Sequence, residues 1–125
     1  MKEIIKTENA PSAIGPYSQA VKAEGFIFVS GQLGIDPANK KFKGETVEEQ
    51  TEQALENAKA ILAVKGYTLD DVIKTTVFLD DINDFKNMNA VYAQFFTQDC
   101  PARAAFEVAN LPLRAKVEIE LIAHK

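Results

Sequence analysis

Two stretches near the end of the chain decide the fold: residues 101–108, which read PARAAFEV, and residues 117–120, which read VEIE. Each is typical of a β-strand, and Leu111-Pro112 indicates a turn between them. In the second stretch apolar and acidic residues alternate, so one strand face is apolar and the other carries carboxylates. The first stretch opens with a lone arginine, Arg103. We expect Arg103 and an acid of the second strand to converge on one pocket, within a chain or between neighbouring copies.

The rest of the chain alternates between strand and helix patterns. Apolar spacing after the capping box of Thr46 and Glu49 predicts a helix over 47–65. A second amphipathic helix contains Phe85 and Tyr92. A loop is predicted between 31 and 45, and strands are predicted at 2–6, 17–23, 26–30, 72–79, 103–109 and 115–123. This order, β-β-β-α-β-α-β-β, predicts an α+β fold with one mixed six-stranded sheet and both helices on one face.

The length of 125 residues predicts a single domain spanning 1–125. The sheet face opposite the helices is expected to be partly polar, yet it includes Ile122. Such a face is either solvated or covered by another copy of the chain. A small core with one helical layer gains much from such assembly.

Composition narrows the function classes. A net charge of −4, from 14 basic and 18 acidic residues, argues against a protein that coats nucleic acid or an acidic membrane. One cysteine, Cys100, and one histidine, His124, cannot form an internal disulfide or a four-ligand zinc site. His124 is penultimate, which disfavours a Ser-His-Asp triad. Zinc and triad chemistry are therefore disfavoured, while an ion site built only from carboxylates stays open. The absence of a signal-like or membrane-spanning apolar run predicts a cytoplasmic protein.

The residues that carry reactive groups each have two interpretations. Arg103 binds a substrate carboxylate, or it forms a surface salt bridge with one of the nearby glutamates. Glu118 and Glu120 lie on one strand face, where one acts as a general base or both form a solvated acidic edge. Gly31 presents a backbone N–H to an anion, or it only ends a strand. Asn89 contacts a ligand, or it hydrogen-bonds to a loop.

Taken together, the segments of this chain resemble the Rid family (reactive intermediate deaminases), and its RidA subgroup in particular. The resemblance spans essentially the whole chain. The matching segments include AIGPYSQA at 13–20, VSGQ at 29–32, KTTVFL at 74–79, NAVY at 89–92, PAR at 101–103 and VEIE at 117–120.

The resemblance implies a chorismate-mutase-like fold and a homotrimer in which three sheets form a central barrel, with active sites in clefts between subunits. The implied reaction is hydrolysis of 2-iminobutanoate and 2-iminopropanoate to 2-oxo acids and ammonia, without a cofactor. Arg103 would bind the substrate carboxylate, and Glu118 would hold and polarise the attacking water. The remaining implied contacts are the side chains of Tyr17 and Ser30, the backbones of Gly31 and Ala105, and Asn89 at the edge of the pocket. Many members of the family carry a cysteine at the position of Ala105, so its absence leaves redox control in doubt.

Two other functions remain open from the sequence. The same cleft can bind a 2-oxo acid without catalysis, in a regulatory or chaperone-like protein. A ribonuclease is the weaker alternative, because the chain lacks a histidine pair for acid–base cleavage and its net charge is unfavourable.

Overall fold

A computed structural model describes all residues, 1–125. It contains two α-helices, α1 (Val47–Ala63) and α2 (Phe85–Phe95). The strands are β1 (Glu3–Ile5), β2 (Ala20–Ala23), β3 (Phe26–Leu33), β4 (Ile35–Asp36), β5 (Lys41–Phe42), β6 (Val72–Leu79), β7 (Ala102–Glu107) and β8 (Val117–His124). Single 3-10 turns lie at Leu69–Asp71, Ile82–Asp84 and Pro112–Arg114. Neither helix has the length and apolar character that crossing a membrane requires.

Six strands form one sheet in the order β1-β2-β3-β8-β6-β7. All neighbouring pairs are antiparallel except β6 and β7, which are parallel and are connected through α2. Two parallel strands require such a crossover, because the chain has to return to the same end of the sheet before the second strand begins. The predicted α+β fold, with two helices and a mixed six-stranded sheet, is confirmed.

Several sequence predictions differ from the structure, beyond shifts of one or two residues at the ends of other elements. The second strand begins at Ala20 rather than at residue 17. The third strand continues to Leu33 rather than ending at residue 30, because a bulge between Val29 and Gln32 absorbs Gly31 without ending the strand. The predicted loop over 31–45 contains the small hairpin of β4 and β5.

The last two strands, β7 and β8, are not neighbours. Strand β6 lies between them and pairs with both. The segment around Leu111-Pro112 therefore does not close a hairpin, and Arg103 does not face Glu118 across adjacent strands.

The core lies between the helices and one face of the sheet. Helix α1 starts at a reciprocal capping box, in which Thr46 Oγ1 accepts from the Glu49 N–H at 3.1 Å. Its buried side, which includes Leu55 and Ile61, packs on the sheet. Burial along β8 alternates strictly, so every second residue from Val117 faces the core. Glu118 and Glu120 therefore project from the opposite face.

The opposite face of the sheet carries exposed large apolar side chains in two groups, with Lys74 and Glu120 between them. Ile4, Phe26, Phe28 and Phe106 are each between 36% and 55% exposed. The ring of Phe106 meets that of Phe78 edge-on, with centroids 5.5 Å apart. Exposed apolar groups of this size on the face of a small sheet indicate a contact surface.

Candidate functional site

A cleft of about 700 Å³ opens beside the end of β3. Three of the predicted site residues line it: Tyr17, Gly31 and Glu118. Tyr17 is half-exposed, and apolar side chains such as Ile14 and Leu113 complete the walls. The cleft is open enough for a molecule of a few carbon atoms to reach the Glu118 carboxylate.

Glu118 is a partly desolvated carboxylate. Burial is the main reason that its pKa is raised above the ordinary value, and the negative charge of Glu120 adds to the effect. A carboxyl group whose pKa is raised is better matched to proton transfer near neutral pH.

Gly31 makes room for the Glu118 side chain. A β-carbon at residue 31 would collide with a carboxylate oxygen of Glu118 and lie 2.8 Å from its Cδ. The role implied for Gly31 was a backbone contact. The structure adds a steric reason for glycine at this position.

We expect Gly31→Ala to displace the Glu118 carboxylate while preserving the fold. The collision involves the far end of a flexible side chain, which can rotate away at little cost in stability. Misplacing a reactive group by about 1 Å can slow a reaction up to roughly 100-fold. A reaction that uses the Glu118 carboxylate should therefore slow about tenfold, with little change in melting temperature. Rate assays and thermal melts of the same preparations measure both quantities. Wild-type turnover in the alanine variant would contradict the role of this contact.

Ser30 holds the cleft wall together from behind. Its hydroxyl donates to the Ser18 carbonyl at 2.6 Å, and its N–H donates to the Gln19 carbonyl at 2.9 Å. The buried side chain of Gln19 in turn donates to the carbonyls of Ala10 and Pro11. These bonds fix the loop that carries Tyr17. Ser30 itself is not among the residues that line the cleft, and Gln19 was not singled out from the sequence.

Arg103 lies in a separate group with Asn89. The guanidinium donates from Nη1 to Asn89 Oδ1 at 2.7 Å, and its carbon lies 4.7 Å from the ring centroid of Tyr92 and 5.4 Å from that of Phe85. The ion pair of the chain joins Lys65 to Glu3, so Arg103 forms no salt bridge. Asn89 accepts from Arg103 rather than bonding to a loop.

Sequence reasoning assigned Phe85 and Tyr92 only to the apolar side of a helix. The sequence does contain a pattern that could have indicated their contacts with Arg103. Phe85, Asn89 and Tyr92 follow the spacing i, i+4, i+7 and so share one stripe of α2. Arg103 on β7 contacts all three residues of this stripe.

Ala105 lies two residues beyond Arg103 on β7. Its side chain is partly buried and packs against the core, opposite Val77 in the strand register. Ala105 is therefore near the arginine group and outside the cleft of Glu118.

The two groups do not meet within one chain. Arg103 lies in register with the buried Thr75 and contacts α2, whereas Glu118 is in register with Phe78 on the opposite face. Two strand spacings separate them by roughly 10 Å across the sheet, and three residues separate them by about 10 Å along it. A single pocket that uses both side chains requires a second copy of the chain.

The remaining candidates for chemistry lie apart from both groups. Exposed Cys100 contacts the Phe96 carbonyl, and the ring of His124 packs against that of Phe26 at a tilt of 52°, with centroids 4.4 Å apart. No cluster of three or more His, Cys, Asp or Glu side chains is arranged to hold a metal ion.

Comparison with known proteins identifies the family. The family model described as Endoribonuclease L-PSP matches residues 7–125. Reactive Intermediate Deaminase A of Arabidopsis thaliana is 52% identical, with 98% of this chain and 65% of the plant protein covered. The 2-iminobutanoate/2-iminopropanoate deaminase of Homo sapiens is 46% identical over 98% of this chain and 90% of the human protein.

A solved structure of a relative has the same fold as this chain. The crystal structure of Escherichia coli TdcF with bound serine superimposes with a TM-score of 0.94 at 43% identity, covering 98% of each chain. The chain therefore belongs to the Endoribonuclease L-PSP family, which includes the Rid proteins that its motifs resemble.

Proposed function

We propose that this protein hydrolyses small 2-imino acids, such as 2-iminobutanoate and 2-iminopropanoate, to 2-oxo acids and ammonia. The observation that carries the proposal is the pair of complementary half-sites. One is an arginine without a carboxylate partner, and the other is a partly desolvated glutamate at an open cleft. The deaminase names of the plant and human relatives support the same reaction.

Arg103 would bind the substrate carboxylate. Its guanidinium is held by Asn89 and forms no salt bridge, so most of its N–H groups are free to bind an anion in a bidentate manner. A 2-imino acid carries one carboxylate, and a single arginine is sufficient to hold it. The relative crystallised with serine binds a small molecule that also carries a carboxylate.

Glu118 would activate the water. A protonated imine is already electrophilic, so the site mainly orients the reactants and removes a proton. Water adds to the imine carbon while Glu118 takes one of its protons. The proton then passes to the nitrogen, the C–N bond breaks and ammonia leaves. Glu118, again ionised, takes the remaining hydroxyl proton as the 2-oxo group forms. No electrons are exchanged with any other molecule.

We propose that the two half-sites meet between copies in a homotrimer. Arg103 and Glu118 lie on opposite faces of one sheet, so a neighbouring chain has to supply one of them. The exposed side chains of Ile4, Phe26, Phe28 and Phe106 lie on the same sheet face as Glu118 and offer apolar area for such contacts. Light scattering measures the assembly directly, and a monomeric mass would contradict the shared site.

The lone cysteine fits a location in the reducing cytoplasm.

A coupled assay tests the reaction. A dehydratase acting on threonine releases the unstable enamine and imine, and this protein should accelerate the appearance of 2-oxobutanoate. Failure to accelerate it, in a preparation with the correct fold and assembly, would contradict the proposal.

The non-catalytic alternative predicts tight binding of 2-oxobutanoate with no effect on imine decay. Calorimetry and the coupled assay together separate the two functions.

The family description also names an endoribonuclease. The single histidine of this chain lies against Phe26 and outside the cleft, which disfavours acid–base cleavage of RNA here.

A further inference from the structure

We infer that Tyr92 is a positioning residue that holds the guanidinium of Arg103 in the orientation needed to receive a substrate carboxylate. The inference rests on the proposed function for its role in turnover. The orientation of Arg103 can also be measured without turnover.

The Tyr92 ring is fixed from behind. It is 6% exposed, its hydroxyl shares a 2.8 Å hydrogen bond with Thr75 Oγ1, and Thr75 is fully buried on β6. Phe96 packs on the same ring with centroids 4.7 Å apart. Burial also raises the pKa of the Tyr92 phenol, so the ring stays neutral. A ring restrained on these sides presents one rigid face to its neighbour.

Arg103 rests on that face. Its guanidinium carbon is 4.7 Å from the Tyr92 centroid, within the range of a cation–π contact, and Phe85 lies somewhat farther away at 5.4 Å. Asn89 accepts one N–H from the side. An exposed arginine otherwise samples many rotamers, and it would lose that freedom on binding. The two rings and the amide restrict the side chain in advance, which lowers the cost of binding.

The three contacts leave the outward N–H groups of the guanidinium unused. Aromatic faces take no N–H hydrogen bond of the strength that a carboxylate offers, and Asn89 takes only one donor. The remaining N–H groups can therefore bind a substrate carboxylate, which in the proposed assembly lies in the cleft of a neighbouring chain. Tyr92 acts through Arg103 and does not itself contact the reacting atoms.

Tyr92→Leu in a Thr75→Val background tests the inference. The valine removes the hydroxyl that the leucine would leave buried without a partner, and Tyr92→Phe in the same Thr75→Val background is the reference, so the two proteins differ only in the ring. Relative to that reference, we expect the leucine to raise KM about tenfold and to change kcat less than about twofold, because only pre-organisation of carboxylate binding is lost. The reference keeps the ring and should retain most of the affinity.

Tyr67→Leu is the matched control. Tyr67 is also buried, and the ammonium groups of Lys22 and Lys125 lie 5.6 and 5.5 Å from its centroid. It makes no contact with Arg103. This variant should lose comparable stability without the change in KM, which separates positioning from a general loss of packing.

A spectroscopic measurement reports on Arg103 without any substrate. The guanidinium N–H resonances of Arg103 should carry a ring-current shift that disappears in the leucine variant and remains in Tyr92→Phe and Tyr67→Leu. Calorimetry with 2-oxobutanoate should show the matching loss of affinity. If the protein hydrolysed no imino acid, the proposed function would fail, while the resonances and the binding constants would still decide the role of Tyr92. An unshifted Arg103 signal, or equal KM increases in the Tyr92 and Tyr67 variants, would overturn the inference.

Discussion

Arg103→Ala is expected to lower kcat/KM for 2-iminobutanoate by about 100-fold. A hydrogen bond to a charged group contributes about 1.5–3 kcal/mol, and loss of about 2.7 kcal/mol of binding corresponds to that factor. Most of the effect should appear in KM, because in the proposed mechanism the arginine binds the carboxylate in the ground state as well as in the transition state. The coupled assay at several substrate concentrations measures both constants.

The Arg103 side chain is exposed, so its removal should leave the fold and melting temperature nearly unchanged. Arg103→Lys keeps the charge without the planar fork and should recover part of the affinity. Arg114→Ala removes the other arginine of the chain, which does not line the cleft, and is the matched control. Full activity in Arg103→Ala would disprove the assigned role.

Glu118→Gln is expected to lower kcat by about 100-fold or more, since a positioned general base contributes about 10²- to 10⁴-fold. Binding of 2-oxobutanoate should change far less, because glutamine has nearly the same shape. In the wild type the rate should fall as pH decreases through the raised pKa of Glu118, where the base becomes protonated. The residual rate of the glutamine variant should lack that acidic limb.

Glu120→Gln is the matched control for this prediction. The charge of Glu120 contributes to the raised pKa of Glu118. Removing that charge lowers the pKa of Glu118, so Glu118 stays ionised to a lower pH. The acidic limb of the pH–rate profile should therefore move to lower pH. Turnover should persist in this variant. A Glu118→Gln enzyme with wild-type kcat and an unchanged pH profile would show that another group activates the water.

Mixing the two impaired variants, at a substrate concentration far below KM, tests the shared site. If a site takes Arg103 from one chain and Glu118 from another, some interfaces of a mixed trimer restore both residues. Random exchange of equal amounts of Arg103→Ala and Glu118→Gln should recover about a quarter of the wild-type activity in a closed ring of heterologous contacts. Mixtures that stay inactive after verified subunit exchange would place the site within one chain, contrary to the geometry.

Much of the fold could be predicted from local patterns. Alternation in the VEIE segment identified a strand with one buried face, and the pair Thr46 and Glu49 identified the start of α1. Both signals are written within a few neighbouring residues. Gly31 misled the prediction of strand length, because a glycine can end a strand or occupy a bulge, and only the pairing with β8 distinguishes these outcomes.

The arrangement of the candidate site was harder to predict. The residue types of Arg103 and Glu118 indicated binding of a small acid, and the family resemblance suggested their partners. Their separation depends on strand order, since β6 lies between β7 and β8, and strand order is set by contacts between residues distant in sequence. The grouping of Phe85, Asn89 and Tyr92 around Arg103 likewise depends on how α2 is placed over the sheet.

The back-to-back placement of Arg103 and Glu118 has a consequence for when the protein becomes functional. A newly synthesised chain carries both reactive groups but cannot apply them to the same molecule, however well it has folded. In the proposed assembly, chemical competence arises only when copies encounter one another, so specific activity would decline upon dilution well before any helix or strand is lost. The cellular abundance of the chain would then act as a threshold for its own chemistry.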